Sequence, residues 1–302
     1  MKQQETPRRV RRALAAFWEH GMHLLFLLCG IVSVAFVLFI SVYLIISGIP
    51  AIREIGLLPF LFGTTWAPTA KTVEPSFGIL PFLLTSIYGT AGACLLGVPI
   101  GILTAVFLAK VAPPRVAAVI RSAVQLLAGI PSVVYGLVGM IVLVPSIQRT
   151  FRLASGACLL AAIVVLTVMI LPSIINVSET ALRAVPREYE EGSLALGATE
   201  IETYFRVSLH AASSGVATSV VLGAGRAIGE AMAIIMVSGN VPNMPSLFGS
   251  VRFLTTAIAS EMSYASVGSL QRQALFSIGL VLFLFILLIN AFLNLVVKRR
   301  AN

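Results

Sequence analysis

Arg226 and Glu230 are the residues of this sequence whose type and spacing best suit chemistry. They lie four positions apart in an apolar run from about Ala211 to Ser238, so one continuous helix would place both on the same face. A guanidinium presents planar donors that match the oxygens of phosphate, and a neighbouring carboxylate can compete with the bound anion for the cation. Ionisable residues within a span usually mark a substrate pathway or relay, so we predict such a site at this pair, with a purely structural ion pair as the alternative.

Hydroxyl side chains in two other apolar runs could add hydrogen-bond donors to such a pathway. Proline or glycine interrupts both runs, at Pro81 and Pro99 in one and at Gly129 and Pro131 in the other. Membrane helices tolerate such breaks where neighbouring helices or a water-lined cavity satisfy the freed backbone groups. Packed kinks and pathway-lining segments both fit the pattern, and a hydroxyl can also bond to its own helix. The candidates are Thr85, Ser86, Tyr88, Thr90, Ser132 and Tyr135.

The elements that must position these residues are predicted to be membrane-spanning helices. Of the 302 residues, 58% are hydrophobic and 11% are charged, and the mean hydropathy is +0.98. Each span needs about 20 mostly apolar residues to cross the hydrocarbon core. We predict an all-α membrane protein with a basic tail (1–21) and one transmembrane domain (22–302), whose six spans cover about 22–47, 77–109, 116–147, 154–176, 211–238 and 274–297.

The distribution of charge predicts the orientation. Fourteen of the 21 Lys and Arg residues fall on segments that are inside if the N-terminus is inside, and six fall on the outer segments. Both termini and segment 177–210 are therefore expected in the cytoplasm. Segments of about 48–76 and 239–273 are expected outside, the second as a re-entrant or interfacial helix. Because the basic residues flank apolar runs, the net charge of +9 does not indicate nucleic-acid binding.

Segment 177–210 is a polar island between two apolar runs, with six of the twelve acidic residues. Leu194, Ala198, Ile201 and Phe205 follow the spacing of one helical stripe, and Gly197 predicts a bend between two short helices. A solvated loop is the alternative for such a charge run. The stripe favours an ordered surface on which a soluble partner docks.

One pattern in this segment consists of Glu191, Gly192, Ser193, Gly197, Val207, Leu209 and His210. Its spacing resembles the EAA loop of bacterial ABC-importer permeases, which reads E-A-A-x3-G-x9-I-x-L-P. Gly192 and Ser193 replace the paired alanines of that pattern, and His210 replaces its proline. The resemblance implies that this coupling segment (177–210) receives ATP-binding subunits through Glu191, Gly192, Ser193, Gly197, Ile201, Val207 and Leu209.

Four further stretches are FGILPFLLTSIYGT from Phe77, LLAGIPSVVYGLVG from Leu126, GRAIGEAMAIIMVSGN from Gly225 and ASEM at Glu261. They resemble the PstC-type permeases of bacterial phosphate ABC importers. The resemblance implies the type I importer-permease fold in the bacterial cytoplasmic (inner) membrane. It also implies a heterodimer with a PstA-type permease subunit, two cytoplasmic ATP-binding subunits and an extracytoplasmic phosphate-binding protein.

No ATP site is expected in this chain, because the sequence lacks a G-x-x-x-x-G-K-[ST] motif. ATP and Mg would be used by the partner subunits. No enzyme or metal site is expected either, since aspartate is absent and the only histidines, His20, His23 and His210, have no clustered acid or cysteine. Two alternatives stay open: a permease for another oxyanion such as phosphonate, sulfate or molybdate, and an ATP-independent secondary transporter or channel in which Arg226 and Glu230 form a gate or proton relay.

Overall fold

The computed structural model describes residues 6–69 and 75–301, and most of them are helical. Lys2 and Lys71, two residues of the charge count, lie outside the described residues. A short antiparallel hairpin joins β1 (Trp66–Ala67) to β2 (Ser76–Phe77). The helices are α1 (Thr6–Ile55), α2 (Leu57–Phe62), α3 (Leu80–Val106), α4 (Pro114–Gly129), α5 (Ser132–Val138), α6 (Val144–Phe151), α7 (Leu159–Arg183), α8 (Arg187–Ala195), α9 (Glu200–Glu202), α10 (Leu209–Ala211), α11 (Ser213–Gly229), α12 (Met232–Val237), α13 (Leu254–Glu261) and α14 (Leu270–Ala301), with π-helical turns at Phe107–Val111, Gly139–Leu143 and Thr203–Ser208.

Among the described residues, five helical segments are long and apolar enough to cross a membrane: Gly21–Ile55, Leu80–Val111, Ser132–Phe151, Leu159–Arg183 and Leu270–Ala291. A sixth results if Glu200–Ala211 and Ser213–Gly229, which meet at 73°, form one bent span. The predicted number of about six spans therefore agrees with the structure. The fourth span continues to Arg183, beyond the predicted end at Asn176, because the intervening residues include neither glycine nor proline. The coupling segment thus begins inside a helix.

The third span is shorter than predicted because the helix breaks at Ile130. Pro131 has no N–H to continue a helix, and it disfavours the helical conformation for the preceding residue, so Ile130 is extended (φ −71°, ψ 128°). α4 therefore lies outside the spanning segment Ser132–Phe151, and the predicted start of the span at Val116 is wrong. The glycine and proline of this stretch had nevertheless indicated the break itself.

The largest core cluster is centred on α7, which packs closely against α3. Small residues on α3 allow this close approach: a Cβ added at Gly97 would lie 2.8 Å from Ile170 Cδ1. Ile170 and its neighbours Leu166 and Ile174 are fully buried. The α3–α7 pair forms a packed centre that α11 also contacts.

The two ends of the helical bundle carry different segments. α3 and the turn after it extend roughly 45 Å. Near the N-terminal end of α3, Ser86 contacts Leu254 of segment 239–273, which is expected outside. Beyond its C-terminal end, Lys110 contacts Glu190 of the coupling segment, which is expected inside. Segment 239–273, which is expected outside, and the coupling segment, which is expected inside, therefore lie at opposite ends of the helical bundle.

Residues 21–40 of α1 are exposed in the described chain. None of the residues in the most apolar window of Gly21–Ile55 is buried. Contacts begin towards its end, where the Tyr43 ring packs edge-on against Phe276 (5.5 Å between centroids) and the Gly48 carbonyl accepts a hydrogen bond from Ser277. Membrane lipid or another chain must cover the exposed part of this apolar helix.

Candidate functional site

Arg226 and Glu230 do not share one helical face, because the fifth span breaks between them. α11 ends at Gly229, and Glu230 has an extended backbone (φ −73°, ψ 131°). The Glu230 carboxylate accepts a hydrogen bond from the Ala233 N–H at 3.0 Å, and the Glu230 carbonyl accepts one from the Thr255 hydroxyl at 2.7 Å. The prediction of a continuous helix is wrong here. Glu230 instead satisfies backbone groups that the break sets free.

Arg226 lies in the last turn of α11 and is partly buried. Among the ion pairs of the described chain, none includes Arg226, so Glu230 does not neutralise it. A cation that is not neutralised within a span is a site to which an anion is attracted.

Tyr135 and Ser132 lie in α5, directly after the break in the third span. The Tyr135 hydroxyl donates a hydrogen bond at 2.6 Å to the Leu127 carbonyl of α4, which also accepts one from the Ile130 N–H at 3.2 Å. Tyr135 thus connects α5 to α4 across the break. Ser132, at the start of α5, is partly exposed. The same break borders a cavity of about 410 Å³ with mainly apolar walls, which include Val134, Val138, Val142, Leu143, Val165 and Val168.

The hydroxyl candidates on α3 divide into buried and exposed residues. Ser86 is buried and accepts a hydrogen bond from the Leu254 N–H at 3.1 Å, so it holds the start of α13. Thr85 is fully buried, and its hydroxyl has no hydrogen-bond partner in the described part of the chain. Thr90 is also buried, whereas Tyr88 is half exposed. Among these four residues, Ser86 alone has a side-chain hydrogen bond to another described residue.

The coupling segment folds as two short helices that meet at Gly197, as predicted. Gly197 has a positive φ of 88°, a conformation that glycine adopts without strain. α8 and α9 contain no buried residue. The predicted stripe does not continue through the bend, and its large members are exposed, Ile201 at 69% and Leu194 and Phe205 at about 40%. Leu196 beside them is 91% exposed.

The residues of the EAA-like pattern occupy two sides of this segment. Ser193 and the buried Thr203 share a hydrogen bond of 2.9 Å that joins the helices across the bend. Val207 and Leu209 are partly buried. The members that face solvent are Glu191, Gly192, Gly197 and Ile201.

Glu190 is one of the acids of the polar island, but in the structure its side chain faces the end of the second span. Its carboxylate forms an ion pair with Lys110 and accepts a hydrogen bond from the buried Ser208 hydroxyl at 2.7 Å. Burial opposes ionisation of this carboxyl, but the hydrogen bonds from Lys110 and Ser208 and the charges of Lys110 and Arg187 outweigh it, so the pKa of Glu190 is lowered.

Glu179 is likewise buried instead of exposed. It accepts hydrogen bonds from Arg121 Nε at 2.7 Å and Arg183 Nε at 2.9 Å. Both arginines also donate to the Leu108 carbonyl, at 3.3 and 3.2 Å. In a π-helical turn the donor to this carbonyl would be Pro113, which has no N–H. The two guanidinium groups supply the missing donors.

Another charged cluster, which the sequence analysis missed, lies at the opposite end of the bundle. Glu261 accepts hydrogen bonds from Trp66 Nε1 (3.0 and 3.1 Å) and Gln271 Nε2 (3.1 Å), and it pairs with Arg252. Arg252 lies 5.8 Å from the centre of the Phe82 ring. The cluster joins segments 48–76 and 239–273 to α3 and α14. Its only sequence signal is a pair of opposite charges in a short apolar stretch.

Comparisons with known proteins identify the family. The family described as binding-protein-dependent transport system inner membrane component matches residues 97–302. The probable ABC transporter permease protein YqgH of Bacillus subtilis is 40% identical over 269 residues, which cover 87% of this chain and 86% of that protein. The phosphate transport system permease protein PstC of Haemophilus influenzae is 36% identical and covers 81% of this chain and 82% of its own. PstC of Pasteurella multocida is 33% identical, with 80% and 79% covered.

The fold also matches a solved structure. The permease of an inward-facing MetNI methionine ABC transporter superposes with a TM-score of 0.57 at 20% identity, over 74% of this chain and 95% of the other. The predicted fold class, an all-α membrane protein of the type I ABC-importer permease kind, is thereby confirmed. Together with the family match over residues 97–302, these similarities show that the chain belongs to the family of binding-protein-dependent transport system inner membrane components.

Proposed function

We propose that this chain is a permease subunit of an ATP-driven importer that moves inorganic phosphate across the bacterial cytoplasmic membrane. Relatives named as phosphate permeases, similar over about four fifths of the chain, support the substrate. The excess of Lys and Arg on one set of segments supports cytoplasmic termini and a cytoplasmic coupling segment.

The exposed apolar surface of the coupling segment is the observation that supports docking of an ATP-binding subunit. Short helices that bury no residue of their own and present Leu196 and Ile201 to solvent need a partner that covers these side chains. An ATP-binding subunit is the partner that fits, with Glu191 and Gly197 on the exposed side. The complete complex would contain a PstA-type permease subunit, two ATP-binding subunits that use ATP and Mg, and an extracytoplasmic phosphate-binding protein.

Within the spans, we assign Arg226 as a contact for the anion. Its guanidinium is not neutralised by any described carboxylate, and it lies at the end of α11, where the span breaks. Glu230 has a different task from the one first expected, because its carboxylate binds the Ala233 N–H. It shapes the break and sets the position of the arginine instead of competing with phosphate for it.

Reconstitution tests the proposal directly. The four kinds of subunit are co-expressed, and uptake of radiolabelled phosphate and ATP hydrolysis are measured in proteoliposomes that contain the binding protein. We expect uptake to require ATP and to fall at least tenfold in Arg226→Gln, whereas the exposed control Arg149→Gln retains it. Unchanged uptake in both Arg226→Gln and Glu230→Gln would contradict a pathway at these residues.

Two outcomes would replace the proposal with an alternative. Uptake that proceeds without any ATP-binding subunit would indicate a secondary transporter or channel. Stronger competition by phosphonate, sulfate or molybdate than by unlabelled phosphate would assign the permease to that oxyanion.

A further inference from the structure

Glu190 is the charged residue that links α8, the first short helix of the coupling segment, to a membrane span. α8 buries no side chain, so apolar packing does not fix its position. Of the ion pairs in the described chain, only Lys110–Glu190 connects α8 to a span. The carboxylate also accepts the hydrogen bond from Ser208, in the π-helical turn that follows α9. One side chain thus joins α8, the second half of the coupling segment and the end of the second span.

Glu190 and its neighbour Glu191 point in different directions. Successive residues of an α-helix are about 100° apart around its axis. Glu190 is partly buried against Lys110, and Glu191 is exposed. The helix therefore offers one carboxylate to a docked partner and the other to the permease itself.

The turn that receives Glu190 is bonded to two more helices. Lys110 belongs to the π-helical turn Phe107–Val111, whose Leu108 carbonyl accepts hydrogen bonds from Arg121 of α4 and Arg183 of α7. Both arginines also bind Glu179. A displacement of α8 would thus act on a turn that holds α4 and α7, and α4 leads directly into the broken third span.

From this geometry we propose that Glu190 is a positioning residue that transmits movement of the coupling segment, through Lys110 and the Leu108 turn, to α4 and the broken third span. The inference rests on the proposed function, because it assumes that ATP-binding subunits move this segment. Glu190 touches neither substrate nor ATP in this scheme. Its task is to make the docking surface and the second span move together.

The test measures phosphate transported per ATP hydrolysed by the complete importer in proteoliposomes. Glu190→Ala and Lys110→Ala should lower this ratio about tenfold, the scale expected for loss of one charged hydrogen bond. ATP hydrolysis and co-elution of the subunits should stay within twofold of wild type. The exchanged pair Lys110→Glu with Glu190→Lys should recover most of the ratio, because it restores the ion pair. Glu188→Ala, an exposed acid of the same helix, is the matched control.

The possible results separate the inference from the proposed function. If the wild-type complex shows ATP-dependent uptake and Glu190→Ala keeps its full transport ratio, the inference is overturned and the proposed function stands. If uptake by the wild type needs no ATP, both are overturned. If Glu190→Ala does not assemble, Glu190→Gln, which keeps an acceptor for Ser208, takes its place. A ratio that stays low in the exchanged pair would also overturn the inference.

Discussion

Replacement of Glu179 by glutamine should be the most destabilising single charge change at the coupling end of the bundle. The carboxylate is 8% exposed and accepts from two guanidinium groups, which are 33% (Arg121) and 49% (Arg183) exposed. Removal of one partner of a fully buried pair costs about 3–5 kcal/mol, whereas an exposed pair contributes less than about 1 kcal/mol. The partial exposure of both arginines places the expected loss between these limits, at about 2–3 kcal/mol. Arg183→Gln should cost less than about 1 kcal/mol, because Arg121 still pairs with the carboxylate.

Thermal unfolding of the purified chain in detergent, followed by intrinsic tryptophan fluorescence, measures this difference. For a chain of this size the loss corresponds to a Tm about 3–5 °C lower in Glu179→Gln. The exposed Glu188→Gln serves as the control and should leave Tm unchanged. If Glu179→Gln and Glu188→Gln unfold at the same temperature, or if Arg183→Gln is the more destabilising variant, the assignment of Glu179 as the buried centre of this cluster is refuted.

Three further predictions concern packing, backbone and pH. Gly97→Val should lower stability by about 1–3 kcal/mol, because the added atoms would overlap Ile170, and the lost Tm should return in part when Ile170→Ala makes room. Gly197→Val should weaken binding of the ATP-binding subunits in pull-down assays more than Gly197→Asn, because asparagine tolerates a positive φ far better than a β-branched residue. Since the pKa of Glu190 is lowered in the folded state, its bond to Lys110 stabilises the fold above the ordinary glutamate pKa of 4.5 and is lost as the pH falls through the lower, folded value. The Tm difference between wild type and Glu190→Gln should therefore be constant from pH 7 to about 5 and shrink towards pH 3; growth of the difference on acidification would contradict this.

The two broken spans show what sequence can and cannot predict about this fold. The break at Ile130 follows from local chemistry, since Gly129 and Pro131 disfavour a continuous helix whatever surrounds them. The break at Glu230 has no proline, and the Glu230 carbonyl there accepts a hydrogen bond from the Thr255 hydroxyl, 25 residues further along the chain. A contact of that kind is not visible in a local pattern, so the sequence suggested an uninterrupted helix.

The polar island (177–210) also contains one feature that was predicted from the sequence and others that were not. The bend at Gly197 was predicted because a glycine interrupted a helical pattern. The directions of Glu179 and Glu190 were not predicted, because each acid also has a partner on another element. Arg121 of α4 lies 58 residues from Glu179, and Lys110, the partner of Glu190, lies in the turn after α3. In a mostly apolar chain an acid in a polar stretch is first interpreted as solvated, and only the arrangement of spans reveals which acids meet a cation.

The cluster around Glu261 has a consequence for the order in which the molecule is assembled. Trp66 and Glu261 are separated by 195 residues, and Gln271 follows later still. At synthesis rates of about 5–20 residues per second, the ribosome needs roughly 10–40 s after Trp66 to produce the last member. During that interval the early hairpin has no carboxylate to bind. Closure of this end of the bundle is thus among the last events of biogenesis, and a chain truncated before Glu261 would leave the Trp66 indole N–H without its acceptor.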